Sequence, residues 1–431
     1  MKWSMQILKG PKESAVGMEV RKITSCRSCG SERLHKLFCL GEQHLTGVFP
    51  AKNQKHPPKA PLELVLCENC TLVQLVDSCE PAFLYGPSYG YRSGLNKSMC
   101  NHLSQTALAL NNFLSLNEND IICDIGCNDG TFLSFFNTNG LTKIGIDPLA
   151  NKFSDFHPCE LKICSDFFSQ DAFASVSHKP ARLITSLSMF YDLQDPITFV
   201  RDISACLEND GIWYFEQSYL KLMLDSNSYD TICHEHLEYY SFSAVNYILK
   251  QAGMKMIDAT LNSVNGGSMA ISAVKNESAH RLTERAKILL SAEVEAGLQY
   301  PSTYRSFIQR CNDNAEALLK KLDELKSAGK RVAGYGASTK GNVLLQYLKL
   351  DESDLPFILE INEEKRGRVT PGSNIPIKLE DEVDLSAIDY LLVLPWHFRD
   401  GIIEKEKVFL ESGGKFIFPL PTLEIYSAEG L

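Results

Sequence analysis

The chain has 431 residues, enough for two or three domains. Hydrophobic residues make up 44% and charged residues 22%, a globular composition that excludes a disordered chain or a coiled coil. The formal net charge of -10 argues against broad contact with nucleic acid. No apolar run approaches the roughly 18 residues of a membrane span, and the first ten residues lack the apolar block of a secretory signal. We therefore expect a cytoplasmic protein with no nucleic-acid or membrane partner.

The N-terminal part of the chain contains two Cys-x-x-Cys pairs. Residues 1–21 show no periodicity and predict a flexible tail, and residues 22–85 follow as a small domain. The pairs in that domain are separated by 37 residues and consist of Cys26, Cys29, Cys67 and Cys70. Four thiolates complete a tetrahedral Zn²⁺ site and leave no position open for a substrate. Unligated core thiols or a redox pair are the alternative, but the spacing favours a structural zinc site that is not catalytic.

The rest of the chain alternates apolar runs with amphipathic segments. Residues 86–278 contain runs at 121–125, 143–147, 183–187 and 211–216, which predict the strands of a parallel sheet with right-handed crossovers. Residues 279–330 predict a helical connector, because apolar side chains between 303 and 329 recur every three or four positions. A second strand–helix unit at 331–431 predicts a Rossmann-like domain. The fold class is therefore α/β.

A glycine-rich loop follows the first strand of the central domain. The loop contains Asp124, Gly126, Asn128, Asp129 and Gly130, and its glycines allow a sharp turn close to a ligand. The next strand ends in an acidic residue, Asp147, which can accept hydrogen bonds from ribose hydroxyls. A dinucleotide fingerprint would have a second glycine at the position of Asn128, and acidic side chains in the loop repel a pyrophosphate. The pattern favours a cationic ligand with a ribose and an amino group.

The segment from Tyr229 to Ser241 is the most unusual stretch of the chain. It carries a His-Glu-His triplet, in which His234 and His236 are two positions apart and so cannot share one face of a helix as metal ligands. Imidazole titrates near neutral pH and can remove a proton, and the carboxylate of Glu235 can orient it. The triplet predicts a catalytic acid/base site, although a single buried histidine is more often structural.

The last domain opens with another loop between a strand and a helix, at 334–342. Backbone amides at a helix start, together with Lys340, suit a diphosphate. A dinucleotide-binding dehydrogenase domain is the alternative, and the imperfect glycine pattern disfavours it.

These features, in this order, resemble a broad enzyme class and one family within that class. The loop is similar to the first motif of class I S-adenosylmethionine-dependent methyltransferases, and the Asp166-Phe167 step fits the adenine contact of that fold. The four cysteines, Gly-x-Phe-Pro at 47–50, Tyr-x-Tyr-x-Ser at 89–93 and the His-Glu-His segment resemble the nucleotide-sugar C-methyltransferases. The resemblance covers about residues 22–431.

The resemblance implies an activity, a cofactor and a set of site residues. Such enzymes use S-adenosylmethionine to methylate carbon 3 of a thymidine-diphosphate-linked 4-keto-deoxysugar through an enolate. His236 would be the base with Glu235 beside it, and Tyr89 or Tyr91 would face the sugar. The substrate would contact residues that flank the second and third domains, which are Asn265, Gly266, Tyr335, Lys340 and Asn342. Many relatives have a tyrosine at the position of Cys233, so the identity of the sugar stays open.

Two other functions remain as alternatives. A sugar O-methyltransferase could use the same base, because it only has to deprotonate a hydroxyl. A zinc-bearing scaffold without activity is disfavoured by the net charge and by the His-Glu-His segment. We expect a small-molecule substrate and favour a monomer.

Overall fold

The structure is a computed structural model that describes residues 18–85, 91–158 and 160–428. The strands are β1 Val20–Lys22, β2 Leu34–His44, β3 Lys59–Cys67, β4 Val73–Leu75, β5 Asp77–Cys79, β6 Ile121–Ile125, β7 Thr142–Ile146, β8 Lys162–Cys164, β9 Ala181–Leu187, β10 Leu207–Ser218, β11 Glu238–Tyr239, β12 Met254–Asn262, β13 Ser268–Lys275, β14 Val332–Tyr335, β15 Ile358–Glu360, β16 Ile377–Leu379, β17 Tyr390–Val393, β18 Lys415–Phe418 and β19 Glu424–Tyr426. The α-helices are α1 Pro81–Leu84, α2 Lys97–Leu114, α3 Thr131–Ser134, α4 Gln170–Val176, α5 Pro196–Cys206, α6 Leu220–Asp225, α7 Phe242–Gln251, α8 Glu284–Ala296, α9 Pro301–Ser327, α10 Thr339–Leu348, α11 Arg399–Lys405 and α12 Lys407–Glu411.

The N-terminal part is built on an antiparallel sheet in the order β2-β3-β4-β11. Its last strand, β11, comes from the His-Glu-His segment, so this sheet is completed by the central domain. Glu238 lies opposite Gln74 and Tyr239 opposite Val73. The short strand β1 pairs with β5 and begins at Val20, inside the stretch that the sequence predicts to be a tail. The segment 229–241 is thereby attached to the cysteine-bearing domain through backbone hydrogen bonds.

The central sheet has seven strands in the order β12-β13-β10-β9-β6-β7-β8. All its strands run parallel except β13, which is antiparallel to both neighbours. Every residue of β6 is buried, as expected for a strand with both faces covered. The carboxyl ends of the parallel strands meet at one edge, where α/β sheets bind ligands. The glycine-rich loop lies at this edge.

The C-terminal sheet has the order β16-β15-β14-β17-β18-β19, parallel except for β19. The long helix α9 buries one face against it through Cys311, Ala315, Leu318, Leu322 and Leu325. The same apolar cluster includes side chains of β2 and β3, so the first and last domains share a core. The α/β class is confirmed. Within the described ranges, no helix has both the length and the apolar character needed to cross a membrane.

Candidate active site

The four cysteines of the two knuckles lie together. Their sulfur atoms are all within 4.8 Å of one another, and Cys26 and Cys70 are 3.5 Å apart, as are Cys29 and Cys67. Zn–S bonds of about 2.3 Å in a tetrahedron place thiolates roughly 3.8 Å apart, so the cluster needs little movement to hold Zn²⁺. Gln74 donates a hydrogen bond from Nε2 to the sulfur of Cys26 at 3.1 Å. The four residues fit a closed, structural metal site.

The glycine-rich loop has a backbone that only small or Asn side chains adopt easily. Gly126, Asn128 and Gly130 have φ of 73°, 51° and 75°. The turn directs the amide of Asn128 to Asp147 at 2.9 Å, and the amide of Leu149 donates to the other oxygen of Asp147 at 2.6 Å. Each carboxylate oxygen has two lone pairs, so Asp147 keeps acceptor capacity for hydroxyl groups.

At the start of the loop, Asp124 is buried and bonded to a neighbouring strand. Thr185 donates from Oγ1 to its carboxylate at 2.6 Å. Burial raises the pKa of Asp124 to about 7, because the charged form loses its hydration. This carboxyl therefore joins the end of β6 to β9 at the start of the loop.

The Tyr-x-Tyr-x-Ser segment lies against the loop where the structure describes it. Asn128 donates from Nδ2 to the carbonyl of Tyr91 at 3.1 Å and accepts from the amide of Ser93 at 3.1 Å. Asp129 accepts from the amide of Gly94 at 3.0 Å and from the amide of Thr131, the first residue of α3, at 3.1 Å. Tyr91 is 48% exposed, so its ring is accessible beside the loop. Tyr89 lies outside the described residues.

The Asp166-Phe167 step follows β8 at the same edge of the sheet. The carboxylate of Asp166 accepts a hydrogen bond from the amide of Phe167 at 2.7 Å. The ring of Phe167 is 55% exposed, which leaves an aromatic face accessible.

The imidazole of His236 makes a hydrogen bond that defines its tautomer. Its Nδ1 is 3.1 Å from the carbonyl oxygen of Thr231, and because a carbonyl only accepts, this nitrogen carries the proton. Nε2 of the neutral ring is then free to accept a proton. The Tyr191 ring packs on the imidazole with centroids 4.3 Å apart. Burial, followed by the nearby Lys340 ammonium, lowers the pKa of His236 to about 3.

A small cavity adjoins His236. Residues of β10 and β11 contribute to its wall. Its polar lining consists of Tyr191, Ser218, Tyr219, Thr231, His236, Glu238 and Tyr239. Tyr191, Tyr219 and Glu238 were not singled out from the sequence, although Glu238 lies in the densely polar segment that drew attention.

The other two members of the His-Glu-His triplet face the N-terminal sheet. Glu235 accepts a hydrogen bond from Thr46 Oγ1 at 3.3 Å, and burial raises its pKa. A side chain at Gly47 would place its Cβ 2.4 Å from a Glu235 oxygen, which explains the glycine of the Gly-x-Phe-Pro motif. His234 bonds through Nε2 to the carbonyl of Ala60 at 3.1 Å. Glu235 and His234 therefore dock the segment onto the first domain.

The predicted substrate residues of the later domains fall into two groups. Asn265 has φ of 54° in the turn after β12, next to Gly266, and donates to Ser188 Oγ at 3.3 Å. Lys340 donates to the carbonyl of Asn265 at 2.7 Å. Burial lowers the pKa of Lys340. This first group joins the turn after β12 to the start of α10 on the side of His236.

The second group is engaged in packing. Tyr335 is buried and donates its hydroxyl to Glu406 at 2.8 Å. Asn342 is fully buried and donates from Nδ2 to the carbonyl of Thr46 at 2.7 Å. Both side chains make contacts that hold the fold together, and the Asn342 contact joins the last domain to the first.

One buried pair was missed at this interface. Asp230 is fully buried and accepts a hydrogen bond from Trp396 Nε1 at 2.8 Å. Nothing in the spacing of these residues marks them as partners, since 166 positions separate them. The pair joins the segment 229–241 to the third domain.

Comparison with known proteins agrees with this architecture. Three family models match in chain order: "Putative zinc binding domain" over 26–85, "Methyltransferase domain" over 96–259 and "C-methyltransferase C-terminal domain" over 263–421. C-methyltransferase NovU of Streptomyces niveus is 30% identical over 414 residues, which cover 95% of this chain and 98% of the relative.

Similar solved structures match part of the chain. The plantazolicin methyltransferase BpumL in complex with SAH is 15% identical, covers 41% of this chain and 84% of its own, and has a TM-score of 0.32. The mitomycin 7-O-methyltransferase MmcR is 14% identical, covers 42% of this chain and 55% of its own, and has a TM-score of 0.32.

The relative and the family models confirm the predicted enzyme class, the S-adenosylmethionine cofactor and the zinc-binding N-terminal domain. The chain belongs to the S-adenosylmethionine-dependent C-methyltransferases that carry an N-terminal zinc-binding domain.

Proposed function

We propose that the protein methylates carbon 3 of a nucleotide-diphosphate-linked 4-keto-deoxysugar, with His236 as the base. The observation that carries this proposal is the tautomer of His236. Its Nδ1 proton is engaged by the Thr231 carbonyl, so the unprotonated Nε2 is free to act beside a cavity. Burial and the Lys340 charge lower the pKa of His236, so its ring is neutral at pH 7.

The chemistry begins with a proton next to the ketone. Nε2 of His236 takes the proton from the ring carbon, and the electron pair moves onto the carbonyl oxygen to give an enolate. The positive charge of Lys340 and the donor groups of Tyr91 and Asn265 are suited to stabilise this oxyanion. S-adenosylmethionine, when bound, would supply the methyl group to the enolate carbon, with cleavage of its sulfur–methyl bond and departure of S-adenosylhomocysteine. His236 then releases its proton to solvent.

The cofactor and substrate would be held by different residues. Asp147, Asn128 and the glycines of the loop suit the ribose and amino acid parts of the cofactor, and Asp166 with Phe167 suits the adenine. Lys340, at the first turn of α10, suits the anionic side of the substrate. Asn265 and Gly266 form the turn between the two regions.

Exchange of the ring hydrogen tests the proposal directly. The protein is incubated in D₂O with S-adenosylhomocysteine and a 4-keto-deoxysugar nucleotide, and deuterium at each carbon is followed by NMR. We expect exchange at carbon 3 in the wild type, a loss of at least about 100-fold in His236→Ala, and no change in the exposed control His178→Ala.

Product analysis separates the alternatives. Mass spectrometry and NMR of products from a panel of keto-deoxysugar nucleotides should show a new carbon–carbon bond. An O-methylated product, with no deuterium exchange at the ring carbons, would show that the protein is an O-methyltransferase and would contradict the proposed C-methylation. Normal exchange in His236→Ala would remove His236 from the role of base.

A further inference from the structure

Arg27 occupies an unusual place inside the first cysteine knuckle. It follows Cys26 directly, yet its side chain is only 2% exposed. Its amide donates to Gln74 Oε1 at 3.1 Å, and its Nη1 donates to the carbonyl of Leu75 at 2.5 Å. The guanidinium is therefore held against strand β4, pointing away from solvent.

The other neighbour of this guanidinium is a carboxylate of the base segment. Nε of Arg27 lies 3.9 Å from Oε1 of Glu238, whose side chain is fully buried. Among the residues that the structure describes, neither carboxylate oxygen of Glu238 has a partner at hydrogen-bond geometry. A buried carboxylate needs a countercharge, and Arg27 is the cation placed to supply it.

Gln74 connects the metal ligands to the same place. Its Nε2 donates to the sulfur of Cys26 at 3.1 Å, and its backbone lies opposite Glu238 in the β4–β11 pair. The next residue, Leu75, donates its amide to the carbonyl of Leu237 at 2.8 Å. Two residues thus span the distance from a zinc thiolate to the strand that follows His236.

The charges along this path alternate. Four thiolates around one divalent cation would form a net negative centre on one side of the positive Arg27. On the other side, burial raises the pKa of Glu238, and the charge of Arg27 opposes that shift and favours the carboxylate form. An arginine between two anionic groups stabilises both, and it does so strongly where water is excluded. Loss of the metal would change the charge and the geometry on one side of Arg27.

Glu238 reaches the cavity beside His236. It lies two positions after the base and lines the same cavity. We propose that Arg27 is a positioning residue that couples the zinc centre to the base segment, residues 229–241, so that metal binding orders the chain around His236. The catalytic consequence rests on the proposed role of His236, whereas the coupling itself does not.

The first experiment measures order in the base segment without any substrate. Hydrogen–deuterium exchange with mass spectrometry is applied to the zinc-loaded full chain, and zinc content is measured in parallel. In Arg27→Met we expect exchange in peptides from 229–241 to rise at least about fivefold, with β14 unchanged. Lys36→Met is the matched control, because Lys36 makes an ion pair with Glu63 on the same domain with 75% of its side chain exposed.

The second experiment approaches the pair from the opposite end, away from the cysteines. Coupling is reciprocal, so Glu238→Gln should speed the release of zinc to a colorimetric chelator by at least about threefold. It should also loosen 229–241 in the exchange experiment. Unchanged zinc release and unchanged exchange in Glu238→Gln would overturn the coupling, whatever Arg27→Met does.

A double-variant cycle then separates positioning from simple loss of stability. Removing one member of a buried pair leaves an uncompensated charge, but removing both relieves it. With an active substrate, Arg27→Met should lower kcat about tenfold at unchanged KM for S-adenosylmethionine, and adding Glu238→Gln should restore part of that loss. Additive losses would contradict the proposal. Failure to turn over any sugar nucleotide would count against the proposed function and leave the first two readouts intact.

Discussion

At the scale of single residues, the site depends on how each polar side chain is paired. His236 has one carbonyl partner and one free nitrogen, while Glu235 is committed to Thr46. The sequence predicts a catalytic role for this triplet, because imidazole and carboxylate groups are rarely so dense, and that role stays a prediction. It could not predict which member faces the cavity, since that depends on strand β4 more than 150 positions away.

The pH dependence follows from the direction of the His236 pKa shift. A base acts in its neutral form, and burial together with Lys340 lowers the pKa of His236 to about 3. We therefore expect kcat to show no acid limb near 6.5. In Lys340→Met the positive charge is removed, so the pKa of His236 rises and an acid limb moves upward towards neutral pH.

The measurement is a kcat–pH profile of wild type, Lys340→Met and Lys340→Arg between pH 5 and 9. The arginine variant retains the charge and should keep the wild-type profile on the acid side. A wild-type acid limb at the ordinary pKa of histidine would contradict the shift.

A second prediction concerns Gly47. A methyl group there would lie 2.4 Å from a Glu235 oxygen, so Gly47→Ala forces the carboxylate to move. We expect a loss of about 1–3 kcal/mol in the free energy of unfolding, together with reduced activity. Gly401→Ala is the control, because nothing lies within 4 Å of its added carbon and it lies in α11. Urea denaturation compares the two, and equal stability would refute the clash.

At the scale of elements, the strands and helices that the sequence predicts are those with a local pattern of apolar residues. Strands β6 and β9 are buried apolar runs, and the face of α9 repeats every three or four residues, so both follow from the sequence. The antiparallel strand β13 and the short β11 do not. Each is defined by its pairing with a distant strand, and no local pattern encodes the identity of that partner.

The start of helix α7 gives a testable case at this scale. Glu293, in α8, is buried and accepts from the amides of Phe242 and Ser243 at 2.7 and 2.8 Å, and from the Tyr219 hydroxyl at 2.9 Å. It acts as a cap for a helix that directly follows the base segment. Glu293→Gln should lower the free energy of unfolding by about 2 kcal/mol, because an amide nitrogen cannot accept.

The matched control is Glu284→Gln. Glu284 lies in the first turn of α8, the helix that also carries Glu293, and its side chain is 82% exposed and pairs with Lys287. Exposed pairs of this kind contribute little, so we expect a change below about 0.5 kcal/mol. Both values are measured by urea denaturation with zinc present. Equal losses in the free energy of unfolding for the two variants would show that the contacts of Glu293 with the start of α7 contribute no more than an exposed ion pair.

At the scale of the whole molecule, the domains are not independent. One apolar cluster contains side chains of β2, β3, α9 and the C-terminal sheet, and Asn342 bonds to Thr46 across that boundary. The sequence indicates three consecutive domains, because composition and motifs change along the chain. A core shared by its first and last parts has no sequence signature, since apolar side chains do not specify their partners.

Removal of zinc should therefore affect more than the N-terminal sheet. Structural zinc sites contribute about 10–16 kcal/mol to the folding of small domains. The shared apolar cluster joins the zinc-binding domain to the third domain, so loss of zinc should be felt in both. We expect a chelator to lower the melting temperature of the main calorimetric transition, with recovery when Zn²⁺ is added back. A second transition that stays at its original temperature would show that the C-terminal sheet folds separately.

The pairing of β4 with β11 has a consequence for biosynthesis. Strand β4 ends at Leu75 and its partner begins at Glu238, so the ribosome adds roughly 160 residues before the sheet can be completed. At a translation rate of about 5–20 residues per second, the edge of β4 stays unpaired for on the order of ten to thirty seconds. An open edge of buried character invites association with other nascent chains. Early capture of zinc and a chaperone that shields this edge would both favour correct folding.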